Sequence, residues 1–345
     1  MITEKLLKWR KPSGWIQIDT LDTHTAGEPL RIILDGFPSL KGETVLEKRS
    51  YLKNNYDNLR SLIMSEPRGH RDMYGALLVS PNTEESDLGV IFMHNNGYST
   101  GCGHAVIAIA KVIFEIEKFK SNIFKGYLNM DVPSGKIRAE AIIENNDLIG
   151  VRFKNVDSFV CKLDGELIID GLGKVKYDLA YGGAYYAVVK AEDVGLKCKS
   201  MYQDVLIDVG MKIKRAIEKS GDLLCPQQGK PFYLYGTIFT DVPEDQNNHS
   251  RNVCIFANGQ IDRSPTGTGV SARAAIMYER GEINLNEELI IESIIGSTFK
   301  VSISETNGEG LLKKVIPNVI GDAFITAKNS YFLDPKDPYR NGFLI

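Results

Sequence analysis

The sequence predicts an α+β protein of two pseudo-symmetric domains, each with a curved, mainly antiparallel sheet around a central helix. Three observations lead to this prediction. The length of 345 residues is roughly twice that of an ordinary domain. A plan of strand, glycine-rich loop and apolar helix occurs twice. Short β-branched and aromatic runs surround both helices. The cleft between two such halves is the expected place of an active site.

The repeated unit runs from an apolar strand through a polar loop into a helix. In the first half the loop holds Cys102 and is followed by the apolar run 105–114. In the second half the loop holds Thr266 and is followed by the run 270–277. Because the two matching positions are about half a chain apart, we expect duplicated domains rather than a solenoid of short repeats.

Further elements follow from local patterns. The run 105–114 is apolar on nearly every side, which is typical of a buried helix. Gly281 is suited to end the second helix as its C′ residue. Residues 200–220 predict an additional amphipathic surface helix. The strand candidates are 137–143, 150–153, 185–189, 232–239 and 299–304.

Composition and charge exclude several classes of protein. Apolar residues make up 43% and charged residues 25%, which is ordinary for a soluble globular protein. The net charge of −3 gives no reason to expect nucleic acid or a membrane surface as partner. We expect neither a signal peptide nor a membrane span. Five cysteines without CxxC spacing predict reduced thiols in a cytoplasmic protein. Those expected to be structural are Cys161, Cys198, Cys225 and Cys254.

Cys102 directly precedes a glycine-rich helix start, which is a specific chemical arrangement. The free N–H groups and the positive end of the helix dipole predict a lowered thiol pKa, and they can also hold a carboxylate. If the halves face each other, residues 103–104 and 267–268 point into one cleft between Cys102 and Thr266. Two thiols there would make a cofactor-free racemase. With one thiol and one threonine, a base is present on only one face of the substrate. Reactions confined to that face, such as an elimination, remain possible.

Six motifs resemble those of the proline racemase family over residues 18–320. They are Ile18–Pro29, Glu66–Met73, Gly101–His104, Val132–Gly135, Ala180–Gly183 and Asp262–Gly269. Racemases and 4-hydroxyproline epimerases of this family carry cysteine where this sequence has Thr266, and that departure marks its trans-3-hydroxy-L-proline dehydratase branch. The resemblance implies the two-domain fold of diaminopimelate epimerase. Residues 1–158 and a returning segment 326–345 would form the first domain, and residues 159–325 the second.

The resemblance also implies a cofactor-independent hydro-lyase that converts trans-3-hydroxy-L-proline to Δ1-pyrroline-2-carboxylate. In this substrate the Cα hydrogen and the hydroxyl share one ring face, so Cys102 could remove the proton and then assist loss of water. Thr266 would hydrogen-bond the substrate or a water. The expected substrate-binding residues are Gly103, His104, Gly267 and Thr268 for the carboxylate, Asp262 for the ring amine, and Tyr74 and Phe256 as pocket walls. No cofactor or metal is expected. The expected partner is the small-molecule substrate, and a homodimer is left open.

Two other functions remain beside this prediction. One is a racemase or hydroxyproline 2-epimerase in which a water replaces the missing thiol. The other is a non-catalytic protein that binds an amino acid in the same cleft. Residues 267–272 satisfy the dinucleotide pattern G-x-G-x-x-A, but the loop 258–266 separates them from the strand. A metal site is not expected because the histidines lack ligand spacing.

Two expectations concern histidines. Cys102 and His104 are not expected to form a hydrolase pair, since near neighbours in a loop rarely place thiol and imidazole face to face. His94 is expected in a surface or loop position. Whether the ring of His104 acts is open.

Overall fold

The computed structural model describes residues 1–118, 125–221, 223–225, 229–308, 310 and 313–345. The helices are α1 (Ile2–Leu7), α2 (Val45–Met64), α3 (Gly103–Lys118), α4 (Gln203–Ser220) and α5 (Gly267–Glu279). The first ten strands are β1 (Ile16–Thr25), β2 (Glu28–Asp35), β3 (Tyr74–Val79), β4 (Leu88–His94), β5 (Gly97–Tyr98), β6 (Tyr127–Val132), β7 (Gly135–Glu144), β8 (Asp147–Lys154), β9 (Phe159–Ile169) and β10 (Gly173–Tyr181). The others are β11 (Tyr185–Lys190), β12 (Leu224–Cys225), β13 (Lys230–Pro231), β14 (Leu234–Asp241), β15 (Ser250–Phe256), β16 (Gln260–Ile261), β17 (Leu289–Glu292), β18 (Thr298–Asn307), β19 (Lys314–Gly321) and β20 (Ala323–Leu333).

The two halves of the chain have the same strand order. In the first half the order is β20-β1-β2-β3-β4-β6-β7-β8. In the second half it is β9-β10-β11-β14-β15-β17-β18-β19. Only the pairs β2–β3, β4–β6, β11–β14 and β15–β17 among these are parallel. The predicted duplication and the mainly antiparallel sheets are therefore confirmed.

The chain crosses between the halves at its end. Strand β9 pairs with β10 in the second half, and the matching place beside β1 is taken by β20, the last strand. Strands β8 and β19 also pair, with Val319 opposite Phe153. The two sheets are thus joined along one edge, which fixes how the halves face each other.

One helix lies inside each sheet. Helix α3 contacts β1, β2, β7 and β8, and helix α5 contacts β9, β10, β18 and β19. Both are buried because their sequences are apolar on most sides, as shown by Val106 and Ile107 in α3 and Ala272 and Ala274 in α5, each with no exposed surface. Gly281 follows the second helix with a φ of 72°, as expected for a C′ glycine.

Two surface helices pack on the outer faces. Helix α4 confirms the amphipathic helix predicted over 200–220, with a short 3₁₀ turn at Ser200–Tyr202 preceding it. Helix α2 was not predicted. Its middle carries a polar stretch, and its backbone departs from helical geometry at Tyr56. Its buried residues Leu52, Leu62 and Ile63 cover the sheet near β3 and β4.

The expectation that all five cysteines are reduced is wrong for two of them. Cys161 in β9 and Cys225 in β12 form a disulfide, with their Cα atoms 4.8 Å apart. They are 64 residues apart in sequence, so only the tertiary structure brings them together. The other three cysteines are free and buried. Among the described residues, no helix is both long and apolar enough to cross a membrane.

Candidate active site

The starts of α3 and α5 meet at the centre of the molecule. A Cβ on Gly103 would lie 2.5 Å from the Cα of Gly267, and a Cβ on Gly267 would lie 2.6 Å from the Cα of Gly103. The first intrahelical bonds are donated by Val106 to Cys102 and by Val270 to Thr266, at 3.1 and 2.8 Å. The N–H groups before these residues therefore point out of the helices, where they can bind an anion.

Each half also extends a hairpin tip onto the other half. The carbonyl of Ala26, between β1 and β2, accepts a hydrogen bond from Ser297 Oγ at 2.8 Å. The carbonyl of Gly183, between β10 and β11, accepts one from Thr100 Oγ1 at 2.8 Å. These reciprocal contacts hold the two halves closed over the helix starts.

A cavity lies between the halves at this point. It is lined by Tyr74, Gly101, Cys102, Gly103, His104, Tyr186, Tyr235, Phe256, Asp262, Thr266, Gly267 and Thr268. The structure thus brings together all nine site residues expected from the sequence and adds Gly101, Tyr186 and Tyr235. The cavity measures about 20 Å³, which is room for about one water molecule. An amino acid with a five-membered ring can enter only if the halves move apart.

Cys102 lies at the start of α3 and is 5% exposed. Burial raises the pKa of its thiol well above the usual range, although hydrogen bonds from the Ala105 N–H and the Tyr74 hydroxyl favour the thiolate. The expectation of a lowered pKa is therefore wrong for the closed cleft, because loss of hydration outweighs the helix start. The nearby carboxyls of Asp262 and Glu28 act in the same direction as burial.

The imidazole of His104 faces the thiol, contrary to expectation. Cys102 Sγ lies 3.3 Å from Nδ1 and 3.7 Å from Nε2. Burial lowers the pKa of His104 to about 3, and hydrogen bonding to the Pro29 carbonyl opposes this. In the neutral imidazole one ring nitrogen carries the proton, and the other can accept a hydrogen bond from the thiol. Helix geometry folds the side chain back over the preceding turn, which spacing in sequence did not reveal.

Thr266 and Asp262 form a closed hydrogen-bonded loop at the start of α5. Thr266 Oγ1 donates to Asp262 Oδ2 at 2.8 Å, and the Ser264 N–H donates to Asp262 Oδ1 at 2.7 Å. Thr266 has a φ of 67°, which turns its side chain into the cavity wall. Burial raises the pKa of Asp262. A carboxylate has room for further donors, so Asp262 can cap this loop and still receive a ligand N–H.

Glu28 is a buried acid beside the site that the sequence reasoning missed. It has no exposed surface. Its Oε2 accepts the Arg263 N–H at 2.7 Å, and its Oε1 has no hydrogen-bond partner among the described residues. Burial and the charge of Asp262 raise its pKa well above the usual range. The Arg263 side chain also reaches Asp72 at 3.2 Å. The motif containing Glu28 was noted in the sequence, but its burial could not be deduced.

Buried aromatic rings form part of the cavity wall. The ring of Tyr74 meets His104 edge-on at 4.8 Å between centroids, and Phe256 stacks on Tyr235 at 5.5 Å. His94 is not in a surface position as expected. It is 4% exposed and packs edge-on against Phe256 at 6.1 Å, and burial lowers its pKa to about 3. This part of the wall is therefore buried, and its histidine is uncharged.

Among the residues that the structure describes, no group of three or more His, Cys, Asp or Glu side chains could hold a metal ion. The polar groups of the cleft are instead one thiol, one imidazole, hydroxyls, a carboxyl and two helix starts. This set can bind a small carboxylate with an amine and move a proton at its α-carbon.

Comparison with known proteins supports this description. The family described as proline racemase matches residues 20–344. The chain is 44% identical to a trans-3-hydroxy-L-proline dehydratase of Colwellia psychrerythraea, over 99% of this chain and 97% of the relative. It is 42% identical to a trans-L-3-hydroxyproline dehydratase of Xenopus tropicalis, over 97% of each.

A solved structure has the same fold over nearly its whole length. It is a hydroxyproline epimerase from Agrobacterium vitis with bound trans-4-hydroxy-L-proline, at 26% identity and a TM-score of 0.85, covering 95% of this chain and 96% of that one. Together with two facing helix starts and one buried thiol, these matches show that the chain belongs to the proline racemase family.

Proposed function

We propose that this protein removes water from trans-3-hydroxy-L-proline and forms Δ1-pyrroline-2-carboxylate. The observation that carries this proposal is the pairing of one thiol with one alcohol across the cleft, Cys102 with Thr266. The names of the dehydratase relatives, at 44% and 42% identity over nearly the whole chain, support the same reaction.

The cleft offers complementary groups for the substrate. The carboxylate is held by backbone N–H groups of Gly103, His104, Gly267 and Thr268 at the two helix starts. This placement puts two dipole ends on the group that gains charge when the Cα proton leaves, and such preorganised donors are commonly the largest contribution to catalysis. The ring ammonium lies toward Asp262, whose carboxylate compensates its charge.

Cys102 acts as the base. When the halves are apart, water reaches the thiol, and the donors at Ala105 and Tyr74 favour its ionisation. Closure around the substrate then removes water, and the ammonium of the substrate provides the positive charge that a buried thiolate needs. The thiolate takes the Cα proton, the C–O bond at C3 breaks, and the hydroxyl leaves as water. The resulting enamine tautomerises to the pyrroline.

Thr266 is not a second base. An alcohol does not ionise near neutral pH, and its proton is donated to Asp262 Oδ2 at 2.8 Å. Its lone pairs remain able to accept a hydrogen bond from the substrate. With a base on one face only, the protein is suited to elimination from that face and not to inversion at Cα.

A proton NMR time course in D₂O tests the proposal. The purified protein is given trans-3-hydroxy-L-proline in one tube and L-proline in another. We expect loss of the hydroxyproline signals and growth of pyrroline-carboxylate, with the proline Cα signal unchanged. Exchange of the proline Cα proton with formation of D-proline would favour a racemase instead.

The Cys102→Ala variant identifies the base. Its rate of dehydration should fall by at least ~10²-fold, the usual scale for a general base. The variant should still bind the ligand pyrrole-2-carboxylate, which is measured as a rise in its melting temperature. Because a buried thiol is replaced by a small apolar group, folding should be retained. Turnover comparable to wild type in this variant would contradict the assignment of Cys102.

A further inference from the structure

A cluster of hydroxyl groups lies on the Cys102 side of the cavity. Tyr74 Oη shares a short hydrogen bond with Ser99 Oγ, and Tyr74 lines the same cavity as Cys102 and Tyr235, where its hydroxyl favours the Cys102 thiolate. Tyr74 and Ser99 are both 2% exposed, and Tyr74 lies in the cavity wall. The residue expected only as a pocket wall therefore brings a hydroxyl group into the same cavity as the base.

The stereochemistry of the proposed substrate makes this position significant. In trans-3-hydroxy-L-proline the Cα hydrogen and the 3-hydroxyl lie on the same face of the ring. The group that protonates the departing hydroxyl must therefore lie on the same side of the cleft as Cys102. Other hydroxyls of the cleft are held by the second half, with Thr266 bonded to Asp262 and Tyr186 bonded to Thr268 at 2.7 Å.

We infer that the Tyr74 hydroxyl binds the 3-hydroxyl of the substrate and donates the proton with which it leaves as water. This inference rests on the proposed function. The thiolate of Cys102 takes the Cα proton, and the electron pair of that C–H bond becomes the C2–C3 double bond as the C3–O bond breaks. Tyr74 gives its proton to the departing oxygen. The new Cys102 thiol then returns a proton to the Tyr74 oxygen within the cavity that both side chains line, which restores thiolate and phenol.

The surroundings of Tyr74 suit this role. Burial, together with the charge of Cys102, raises the pKa of its phenol, so the proton is present over the working range of pH. The hydrogen bond with Ser99 fixes the direction of the hydroxyl. Cys102 by itself is less suited, because the sulfur must first complete removal of the Cα proton before it can serve as an acid.

The Tyr74→Phe variant separates this role from that of the base. In D₂O, two rates are followed by NMR: loss of water, and exchange of the Cα proton in the remaining trans-3-hydroxy-L-proline. We expect the rate of water loss to fall by ~10²-fold, the usual scale for a general acid. Exchange should fall much less, so the ratio of exchange to elimination rises.

Two other variants serve as comparison. Tyr186→Phe removes a phenol hydroxyl from the other half of the cleft. The ratio of Cα-proton exchange to water loss in this variant should equal that of wild type. Ser99→Ala leaves the phenol in place but removes its partner, and should raise the ratio in the same direction by a smaller factor. This second variant tests the inference even if Tyr74→Phe does not fold.

Binding gives an independent measurement in the inactive Cys102→Ala background. Adding Tyr74→Phe should weaken binding of trans-3-hydroxy-L-proline by roughly 5-fold or more, the scale of one hydrogen bond, and leave binding of L-proline unchanged. A ratio of exchange to elimination in Tyr74→Phe equal to that of wild type would overturn the inference, as would an equal rise in Tyr186→Phe. If the wild-type protein forms no pyrroline at all, the proposed function itself fails.

Discussion

At the scale of single residues, the site is defined by how burial changes the acidity of its groups. Cys102 lies at a helix start, which favours a thiolate, but the closed cleft removes water and raises the pKa of the thiol. His104, with its pKa lowered to about 3, remains neutral beside it. The buried thiolate, once formed, is a stronger base than a solvated one, which suits removal of a weakly acidic Cα proton.

The pKa values of Cys102 and His104 predict how activity depends on pH. The free protein is closed in the structure, and closure raises the pKa of the Cys102 thiol, so the thiolate is scarce in the free protein near neutral pH. Because kcat/KM reports the free protein, it should rise as pH increases through the alkaline range, without a plateau near pH ~7. His104 should contribute no inflection between roughly pH 5 and 8, where a free imidazole titrates. Steady-state rates over this range, with thermal stability measured alongside, check the prediction. A plateau starting at neutral pH would contradict it.

Glu28 predicts a stabilising substitution. Its folded-state pKa is raised by burial, so its stability contribution is present at low pH and is lost as pH rises through that pKa. Glu28→Gln keeps the oxygen that accepts the Arg263 N–H and has no charge to bury. The free energy of unfolding should increase by on the order of 1 kcal/mol, more at pH ~8 than at ~5. Denaturant unfolding at both pH values measures it.

The exposed Glu84→Gln is the matched control for Glu28→Gln. Glu84 is at the surface, so its substitution should change the free energy of unfolding little at either pH. A Glu28→Gln variant less stable than wild type at pH ~8 would show that the Glu28 charge is compensated in the folded protein.

At the scale of elements, the central feature is the contact between the starts of α3 and α5. Two helices can bring their N-termini this close only where neither carries a side chain, and Gly103 and Gly267 satisfy this condition on both sides. The same contact places the N–H groups of both helices around one ligand position. Glycine is therefore required here for close approach and not for a turn.

Gly103→Ala should separate the two helix starts. The new Cβ would meet the Gly267 Cα at 2.5 Å, and backbone at that distance must move. A displacement of ~1 Å at a reacting centre can cost ~10²-fold in rate, so dehydration should fall by about that factor. Steady-state rates and pyrrole-2-carboxylate binding measure the effect.

Gly171→Ala provides the comparison for this substitution. Gly171 has a φ of 75° and no heavy atom within 4 Å of its Cβ position. Alanine there should cost ~1 kcal/mol of stability through backbone strain, while activity remains that of wild type. If both variants lose activity in proportion to their loss of stability, the contact between the helix starts does not explain the lower activity of Gly103→Ala.

At the scale of the whole molecule, catalysis requires the halves to open and close. The cavity of about 20 Å³ is too small for the substrate, while β8 and β19 join the sheets along one edge. Opening must therefore break contacts between a hairpin tip and the opposite half, such as that of Ser297 with Ala26. The side chains of Gln260 and Asn95 also meet across the cleft at 2.7 Å.

Ser297→Ala should shift the molecule toward the open state. One hydrogen bond contributes about 1 kcal/mol, so the association rate constant of pyrrole-2-carboxylate should rise by up to ~5-fold in stopped-flow measurements. Ser304→Ala removes a matching bond to Ile316 within the second half and should leave that rate constant unchanged. Equal changes in both variants would show that the hydrogen bond between Ser297 and Ala26 does not stabilise the closed state.

The duplication, the two central helices, the family and nine residues of the cleft could be predicted from the amino-acid sequence. The duplication, the two helices and the residues at the helix starts follow from local signals, since glycine-rich helix starts and apolar periodicity are written in neighbouring residues. Asp262, Tyr74 and Phe256 were expected from the resemblance to the family. Four features became visible only in the folded protein: the Cys161–Cys225 disulfide, the position of β20 beside β1, the burial of Glu28 and His94, and the contact between Cys102 and His104. Each depends on segments that are distant in the sequence or folded back on themselves. Their contacts, and the water that these contacts exclude, exist only in the assembled fold.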